Sequence, residues 1–166
     1  TVAILCNFPT WLLNSEIPQF QGHYAVWLKA LYDSYPHDGP YELHWISLNK
    51  DIKHSVHFES KKQLFHVIPR VRKTIGLYTA YCVDRYKIAR LLKKINPDLL
   101  HTWGTEDCYG LCGTDFKGKW LHSVQGLLKA YMERGPMPRF FRHHSMYEPR
   151  VLKKCKYITT ESPWAA

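Results

Sequence analysis

Residues whose types can bind or transform a hydroxylated ligand fall in three short segments, each directly after an apolar run. They are Asn7, His101, Trp103, Gly104, Glu106, Gln125 and Gly126. Glu106 can act as a general base or accept a hydrogen bond from a hydroxyl group. Trp103 offers a flat apolar face of the kind on which sugars and bases stack. Gly126 and the start of the helix predicted after it can present backbone N–H groups to a phosphate.

Each of these residues also has a purely structural explanation. His101 can be a buried core histidine at a strand end, Trp103 can pack in the core, and Glu106 can cap the next helix. Gly22 stands after a long loop and before an amphipathic segment, which fits either a backbone approach to a phosphate or a simple turn. The joint placement of these residues is therefore a stronger indication than any one of them.

The elements that must position them alternate between strand and helix. Apolar runs predict six strands, at residues 2–6, 41–48, 63–68, 99–101, 120–124 and 157–160. Helical patterns fall between them, at residues 24–32, 74–95, 108–112, 127–132 and 146–154. Residues 49–60 are polar and predict a surface loop with an irregular strand. This alternation predicts an α/β fold, a Rossmann-like three-layer αβα arrangement with a mostly parallel sheet.

Two of these helices carry a residue that can interrupt them. The helix at 74–95 is predicted as one long helix or as two with a break near Gly76. The helix at 146–154 contains Pro149, which we expect in or near its first turn, where proline is tolerated.

A parallel sheet brings the candidate residues to one place. The first, fourth and fifth predicted strands would all end at the same edge, where open α/β sheets bind ligands. We therefore expect one crevice, surrounded by Asn7, Gly22, His101, Trp103, Glu106 and Gln125.

Composition and charge limit the classes of function. At 166 residues with 45% hydrophobic content, the chain predicts one domain with a sizeable core. No run approaches the roughly 18 to 20 apolar residues that span a bilayer, so we expect a soluble, cytoplasmic protein. A net charge of +9 indicates an anionic partner. Most basic groups predict solvated helix faces, but residues 139–144 (RFFRHH) mix aromatics with cations, as suits a membrane surface or a partner.

Cysteine and motif patterns argue against several kinds of chemistry. Five cysteines, an odd number in apolar contexts, predict free buried thiols rather than a disulfide framework. Cys108 and Cys112 near His101 lack a second close pair, so no metal site is expected. The sequence has no Ser-His-Asp order, H-E-x-x-H, G-x-G-x-x-G, Walker or paired-cysteine redox motif, which leaves hydrolase, metalloprotease and thioredoxin functions without support.

The sequence ends on a helix signal. Ser162 is a good N-cap and Pro163 suits the first helical position, but only three residues follow. We therefore expect residues 1–166 to be an N-terminal domain that continues into another.

Three segments together resemble a known family: NPDLLHTWGTED at 96–107, KWLHSVQGLLKAYMERG at 119–135 and YEPRVLKKCKYITTESPW at 147–164. They are similar to the N-terminal domain of bacterial glycosyltransferases of family 4, which belong to the retaining GT-B class. The resemblance extends over most of the chain from Gly22 and is weakest across residues 35–76.

The resemblance implies two Rossmann-like domains facing each other across a cleft, the first binding the acceptor and the second the nucleotide-sugar, with no other cofactor. Gly22 matches the glycine of the loop after the first strand, which approaches the donor phosphates or the acceptor, and residues 101–106 match the loop after the fourth. Gln125-Gly126 matches a position where many members have His-Gly, with the histidine close to the transferred sugar. The catalytic candidates are thus Gln125, which can still bond a sugar hydroxyl, and Glu106.

The family's paired glutamates and basic phosphate-binding residues belong to the second domain, so residues 1–166 alone should not transfer sugar. The implied reaction moves a sugar from a nucleotide-sugar to a polysaccharide or lipid-linked saccharide, and the basic surface fits an enzyme that meets its acceptor at the inner membrane face.

The main alternative is a non-enzymatic Rossmann-like module for an anionic ligand or nucleic acid. That alternative explains the charge but not the loop residues suited to sugars. A flavodoxin-like domain is a weaker rival, since the loop after Cys6 lacks a Ser/Thr-rich phosphate pattern.

Overall fold

A single seven-stranded sheet organises residues 1–19, 25–36, 38–105 and 107–160, which are the residues that the computed structural model describes. The strands are β1 Val2–Leu5, β2 Leu43–Asn49, β3 Val56–Ser60, β4 Gln63–Pro69, β5 Leu99–Trp103, β6 Lys119–Val124 and β7 Tyr157–Thr160. The helices are α1 Val26–Ser34, α2 Lys73–Tyr78, α3 Cys82–Ile95, α4 Tyr109–Asp115, α5 Leu128–Arg134 and α6 Arg139–Lys154, with a 3-10 turn at Thr10–Leu12. The six predicted strands are confirmed.

The strand order is β3-β4-β2-β1-β5-β6-β7, and every neighbouring pair is parallel except β3 with β4. The chain first builds outward from β1 through β2 to β4, and then crosses to place β5 on the other side of β1. The direction of winding therefore reverses between β1 and β5, which makes their carboxyl ends the topological switch point of the sheet. The predicted Rossmann-like α/β fold with a mostly parallel sheet is confirmed.

The seventh strand, β3, lies in the stretch predicted as a loop with an irregular strand. It pairs antiparallel with β4 through a two-residue turn at Lys61 and Lys62, whose φ angles are 48° and 59°. Two left-handed residues suit the tight turn of a hairpin, but the usual sequence for it is Asn-Gly rather than Lys-Lys. The sequence therefore lacks the turn signal that would have revealed this hairpin.

Helices cover both faces of the sheet, which gives three layers. On one face, Ala3, Leu5 and Leu100 pack with Ile88 of α3 and Val151 of α6. Ile4, Trp45 and Phe65 lie on the other face with Leu28 and Tyr32 of α1. The alternation of side chains along β1 thus fills two separate cores, as its continuous apolar sequence predicts.

Two helix boundaries differ from the sequence prediction. The break between α2 and α3 falls at residues 79–81, where Ala80 and Tyr81 have φ angles of 47° and 55°, rather than at Gly76. Helix α6 begins at Arg139, so Pro149 lies in its interior and the expectation of a first-turn position is wrong. Tertiary contacts explain the early start of α6, because His144 is buried and lies 2.5 Å from the Tyr81 hydroxyl.

The cysteines are unpaired, as predicted, and four of them are buried, but Cys82 is exposed at the start of α3. Among the described residues, we find no helix whose length and apolar character would let it cross a membrane.

Candidate functional site

The carboxyl ends of β1, β5 and β6 lie side by side and form the rim of the candidate site. In the sheet register, Leu5 is opposite Thr102, and Thr102 is opposite His122. Asn7 and Gly104 follow β1 and β5 at the switch point, and Gln125 follows β6 directly. The structure therefore brings Asn7, Gly104, Gln125 and Gly126 to one edge, whereas Gly22 and Glu106 lie outside the described residues.

Asn7 is exposed at this rim, and a hydrogen bond from the protein interior orients its side chain. The hydroxyl of buried Tyr109 donates a 2.9 Å hydrogen bond to Oδ1 of Asn7 and accepts one from the backbone N–H of Leu48 at 3.0 Å. Burial raises the pKa of Tyr109, as does nearby Asp107, so the phenol keeps the proton that it donates. The Asn7 NH₂ group remains available to donate to a ligand hydroxyl.

His101 and Trp103 do not belong to the loop, because β5 continues through Trp103. Nε2 of His101 lies 2.7 Å from Oγ of Ser123, and its ring centroid lies 4.7 Å from that of Trp103. Trp103 in turn contacts Trp27 of α1, at 4.8 Å. Burial lowers the pKa of His101 to about 4, so it is neutral near pH 7. These two side chains support the rim from the α1 face of the sheet, and the expectation that the strand stops before Thr102 is wrong.

Gly104 starts the loop after β5 and closes it onto β6. Its backbone N–H donates to the carbonyl of Ser123 at 2.9 Å, which continues the ladder past the strand. Its φ of 80° lies in the left-handed region that favours glycine. The buried indole N–H of Trp103 has no acceptor within the described part of the chain.

The loop after β6 is packed tightly around Gly126. The hydroxyl of Thr105 donates to the Gly126 carbonyl at 3.1 Å, which joins the two loops. A Cβ atom added to Gly126 would lie 2.6 Å from the Tyr131 hydroxyl, so a larger residue does not fit without displacing that ring. Gln125 is half-buried between this loop and β6.

The backbone N–H groups at the start of α5 are already occupied by a carboxylate of the same chain. Leu128 N and Lys129 N donate to the two oxygens of Glu148 on α6, at 2.8 and 3.1 Å, and Glu148 is 3% exposed. The prediction that this helix start presents donors to a phosphate is therefore wrong. The sequence separation of about twenty residues hides the partner that satisfies these groups.

The structure contains a buried ion pair near the rim that the sequence does not reveal. Arg70, at the end of β4, forms a bidentate pair with Asp107 in the loop after β5, and the side chains are 12% and 8% exposed. Burial works against the charge of Arg70, but the attraction of Asp107 outweighs it and the pKa of Arg70 is raised. In the sequence, Arg70 belongs to a short basic group that is typical of an exposed surface. No local pattern around it indicates that Asp107 is its partner.

The carboxyl group of Asp84 adjoins this pair. One oxygen of Asp84 accepts the backbone N–H of Val71 at 3.0 Å, while its other oxygen and Nε of Arg70 have no partner in the described residues. Burial raises the pKa of Asp84. The Arg70 guanidinium also lies 5.8 Å from the centroid of the Tyr81 ring, a cation–π contact that links the end of β4 to the turn before α3.

Comparison with known proteins supports the fold. No family model and no curated protein matches the chain. Among solved structures, a sucrose-phosphate synthase from Thermosynechococcus elongatus is similar over 98% of this chain and 42% of its own, with a TM-score of 0.63 and 13% identity. A second structure under that name, from the same organism, covers 98% of this chain and 77% of its own, with a TM-score of 0.52 and 13% identity. The chain thus spans about two-fifths of the first structure, and it has the Rossmann-like fold of one half of a GT-B molecule.

Proposed function

We propose that this chain is the acceptor-binding half of a retaining glycosyltransferase of the family 4, GT-B type, in which a second domain supplies the sugar from a nucleotide-sugar. The observation that carries the proposal is the rim at the β1–β5 switch point, where Asn7, Gly104 and Gln125 lie together. The similarity of fold to sucrose-phosphate synthase over 98% of the chain supports it. Open α/β sheets bind their ligands at such a point.

In this proposal the rim recognises a saccharide acceptor through neutral amides. The NH₂ of Asn7, oriented by Tyr109, donates to a sugar hydroxyl, and Gln125 both donates and accepts. Glu106, in the loop after β5, is the proposed base or acceptor for the attacking hydroxyl, and Gly22 approaches the ligand from the loop after β1. The sugar-facing role of Gln125 takes the place of the histidine found in many family members.

Nucleotide-sugar binding should depend mainly on the second domain. Within the first domain, two backbone N–H groups at the start of α5 are already bonded to Glu148. Calorimetry of the chain with UDP-glucose and GDP-mannose should give weak or undetectable binding. Tight binding of either compound would contradict the assignment of this half.

The acceptor site can be tested by nitrogen-15 NMR titration of the chain with a panel of mono- and disaccharides. We expect saccharide to change the amide chemical shifts of Asn7, Gly104 and Gln125. The Asn7→Ala and Gln125→Ala variants should each weaken the binding of saccharide. Glu59→Gln, exposed on edge strand β3, is the control and should bind as the parent does. Shift changes confined to other parts of the sheet would exclude the rim as the acceptor site.

We also propose a contact with anionic lipid at the corner formed by α2 and the start of α6. Arg139 and Arg142 are exposed there, together with Tyr78 and Met146, which are 81% and 72% exposed. Tyr78 lies against His143, with ring centroids 5.8 Å apart, so the two helices present one surface. Cations around exposed apolar side chains suit the interface of a bilayer.

The test is sedimentation with phosphatidylglycerol-containing liposomes. Arg139→Glu with Arg142→Glu should abolish binding, whereas Lys93→Glu with Lys153→Glu, which changes the net charge equally, should preserve most of it. If the first variant binds liposomes as the parent does, the proposed membrane contact is refuted. The proposal of an acceptor site at the rim would not be affected.

A further inference from the structure

A second concave surface lies at the carboxyl end of β4, on the same side of the sheet as the rim but two strands away from β1. It is a groove of about 500 Å³ between α3 and the β3–β4 hairpin. Strands β4 and β2 separate β3 from β1, so the groove shares no strand with the switch point. Its size falls in the range of pockets for small ligands.

The lining of this groove is strongly basic. Its cations are Lys53, Lys87, Arg90 and Lys94, and its lining includes no carboxylate. No salt bridge in the described residues involves any of the four. Positions 87, 90 and 94 recur at helical spacing, so they share one face of α3. The sequence predicts this stripe as a solvated helix face, but in the structure it forms the wall of a groove.

The positions of these cations suit anionic oxygens. Nζ of Lys87 donates to the Pro69 carbonyl at 2.7 Å, which fixes the ammonium at the end of β4. The Arg90 guanidinium lies 6.0 Å from the centroid of the Tyr86 ring. A guanidinium presents paired N–H groups that match a phosphate, and Tyr86, 62% exposed, offers an apolar face beside it.

A chain of three histidines leads into the groove. His57 lines it, and Nδ1 of His57 lies 2.8 Å from Nδ1 of His66, whose Nε2 lies 2.9 Å from Nδ1 of His44. Burial, followed by the neighbouring imidazoles, lowers the pKa of His66 to about 4. A neutral His66 has one N–H and can donate to only one of its two neighbours.

The carboxylate of Glu42 selects the direction of this chain. Its Oε1 lies 3.6 Å from Nε2 of His44, which favours a proton on that nitrogen and leaves Nδ1 of His44 to accept from His66. His66 then accepts from Nδ1–H of His57. The ring of His57 is thereby oriented, and its Nε2 is left as an acceptor that can take a hydrogen bond from the P–OH group of a protonated phosphate in the groove.

We propose that this groove binds a small phosphate-bearing ligand, whose anionic oxygens contact Lys53, Lys87, Arg90 and Lys94. The organic part of the ligand packs on Tyr86. This site goes beyond the proposed acceptor site, and neither depends on the other.

The test uses pyrophosphate, with inorganic phosphate as a second probe, titrated into the chain and followed by calorimetry and nitrogen-15 NMR. Arg90→Glu with Lys94→Glu should weaken pyrophosphate binding by about tenfold or more, as expected for the loss of about 1.4 kcal/mol or more. The control pair Lys93→Glu with Lys153→Glu changes the net charge equally and should alter affinity by less than about twofold. Lys93 is on the same helix but outside the groove, and all four positions are exposed.

His57→Phe, which removes no lysine or arginine but removes the acceptor nitrogen, should weaken binding by roughly threefold. Circular dichroism verifies that each variant is folded. Equal losses in the two charge pairs would show a net-charge effect and overturn the proposal, as would shift changes at the rim residues alone. Failure of saccharide binding at Asn7 or Gln125 would leave this result unaffected.

Discussion

The hydroxyl of Tyr109 lies 2.9 Å from Oδ1 of Asn7, to which it donates a hydrogen bond. The same oxygen accepts the backbone N–H of Leu48, so one buried phenol joins the rim to β2. The orientation of the Asn7 amide is therefore a property of the protein interior.

Tyr109→Phe tests this arrangement. It leaves the Leu48 N–H buried without an acceptor, so we expect a loss of about 2 kcal/mol in the free energy of unfolding, measured with urea. Tyr86→Phe, on an exposed side chain, is the matched control and should change stability by less than about 0.5 kcal/mol. Equal effects of the two substitutions would show that the Tyr109 hydroxyl does not stabilise the rim.

Glu148→Gln should destabilise the chain by about 2 kcal/mol in urea unfolding. The substitution preserves the side-chain shape but removes a charge and one acceptor oxygen from two backbone N–H groups. Glu133→Gln, exposed on α5, serves as the control and should leave stability within about 0.5 kcal/mol. If the Glu148→Gln variant has the same free energy of unfolding as the parent, α5 does not need the carboxylate.

Asp107→Asn should cost about 3 to 5 kcal/mol, because it removes the charged, bidentate partner of the buried Arg70 guanidinium. Asp115→Asn disrupts the more exposed pair with Arg85 and should cost only about 0.2 to 1 kcal/mol. Replacing both buried partners, as Arg70→Met with Asp107→Leu, should be less damaging than Asp107→Asn alone. A double variant that is less stable than Asp107→Asn would refute the charge explanation.

Acid should weaken the fold through His122. Burial lowers its pKa to about 4 in the folded chain, from the ordinary value of 6.5, and the side chain is 0% exposed. The unfolded chain binds this proton more readily, so the stabilisation is complete above pH 6.5 and is lost as the pH falls to about 4. The loss attributable to this histidine is up to about 3 kcal/mol.

His122→Asn keeps an acceptor for the Thr102 hydroxyl, which lies 2.8 Å from Nδ1, but removes the titrating group. Urea unfolding is measured at a series of pH values from 7.5 to 4.5. As the pH falls, the free energy of unfolding should decline less steeply for this variant than for the parent. Identical slopes would show that His122 does not contribute to acid sensitivity.

The sequence predicts the fold well where burial controls the pattern. Strand β1 is a continuous apolar run, and β2 and β6 are largely buried segments of strand length in which apolar residues predominate at their centres, so the positions of all three follow from the local sequence. The helix end at Asn96, which adopts a left-handed conformation before Pro97, is likewise a local property. The placement of Asn7 and Gln125 at one edge follows from these elements alone.

The missed features depend on partners far apart in the chain. Arg70 and Asp107 are separated by 37 positions, and each resembles an ordinary surface charge in the sequence. Trp103 was expected in the loop because Gly104 follows it, but pairing with Ser123 of β6 extends the strand. The interior position of Pro149 depends on contacts of α6 with α2, α4 and α5, including the hydrogen bond from Tyr147 to the Leu77 carbonyl of α2 at 2.9 Å.

The carboxylate of Glu148 has one more consequence. Because it already anchors the first turn of α5 to α6, the loop that contains Gln125 is held in place without help from a bound molecule. In the proposed acceptor site, a sugar bound at this loop would therefore meet a preorganised surface and lose little affinity to the entropy of ordering it.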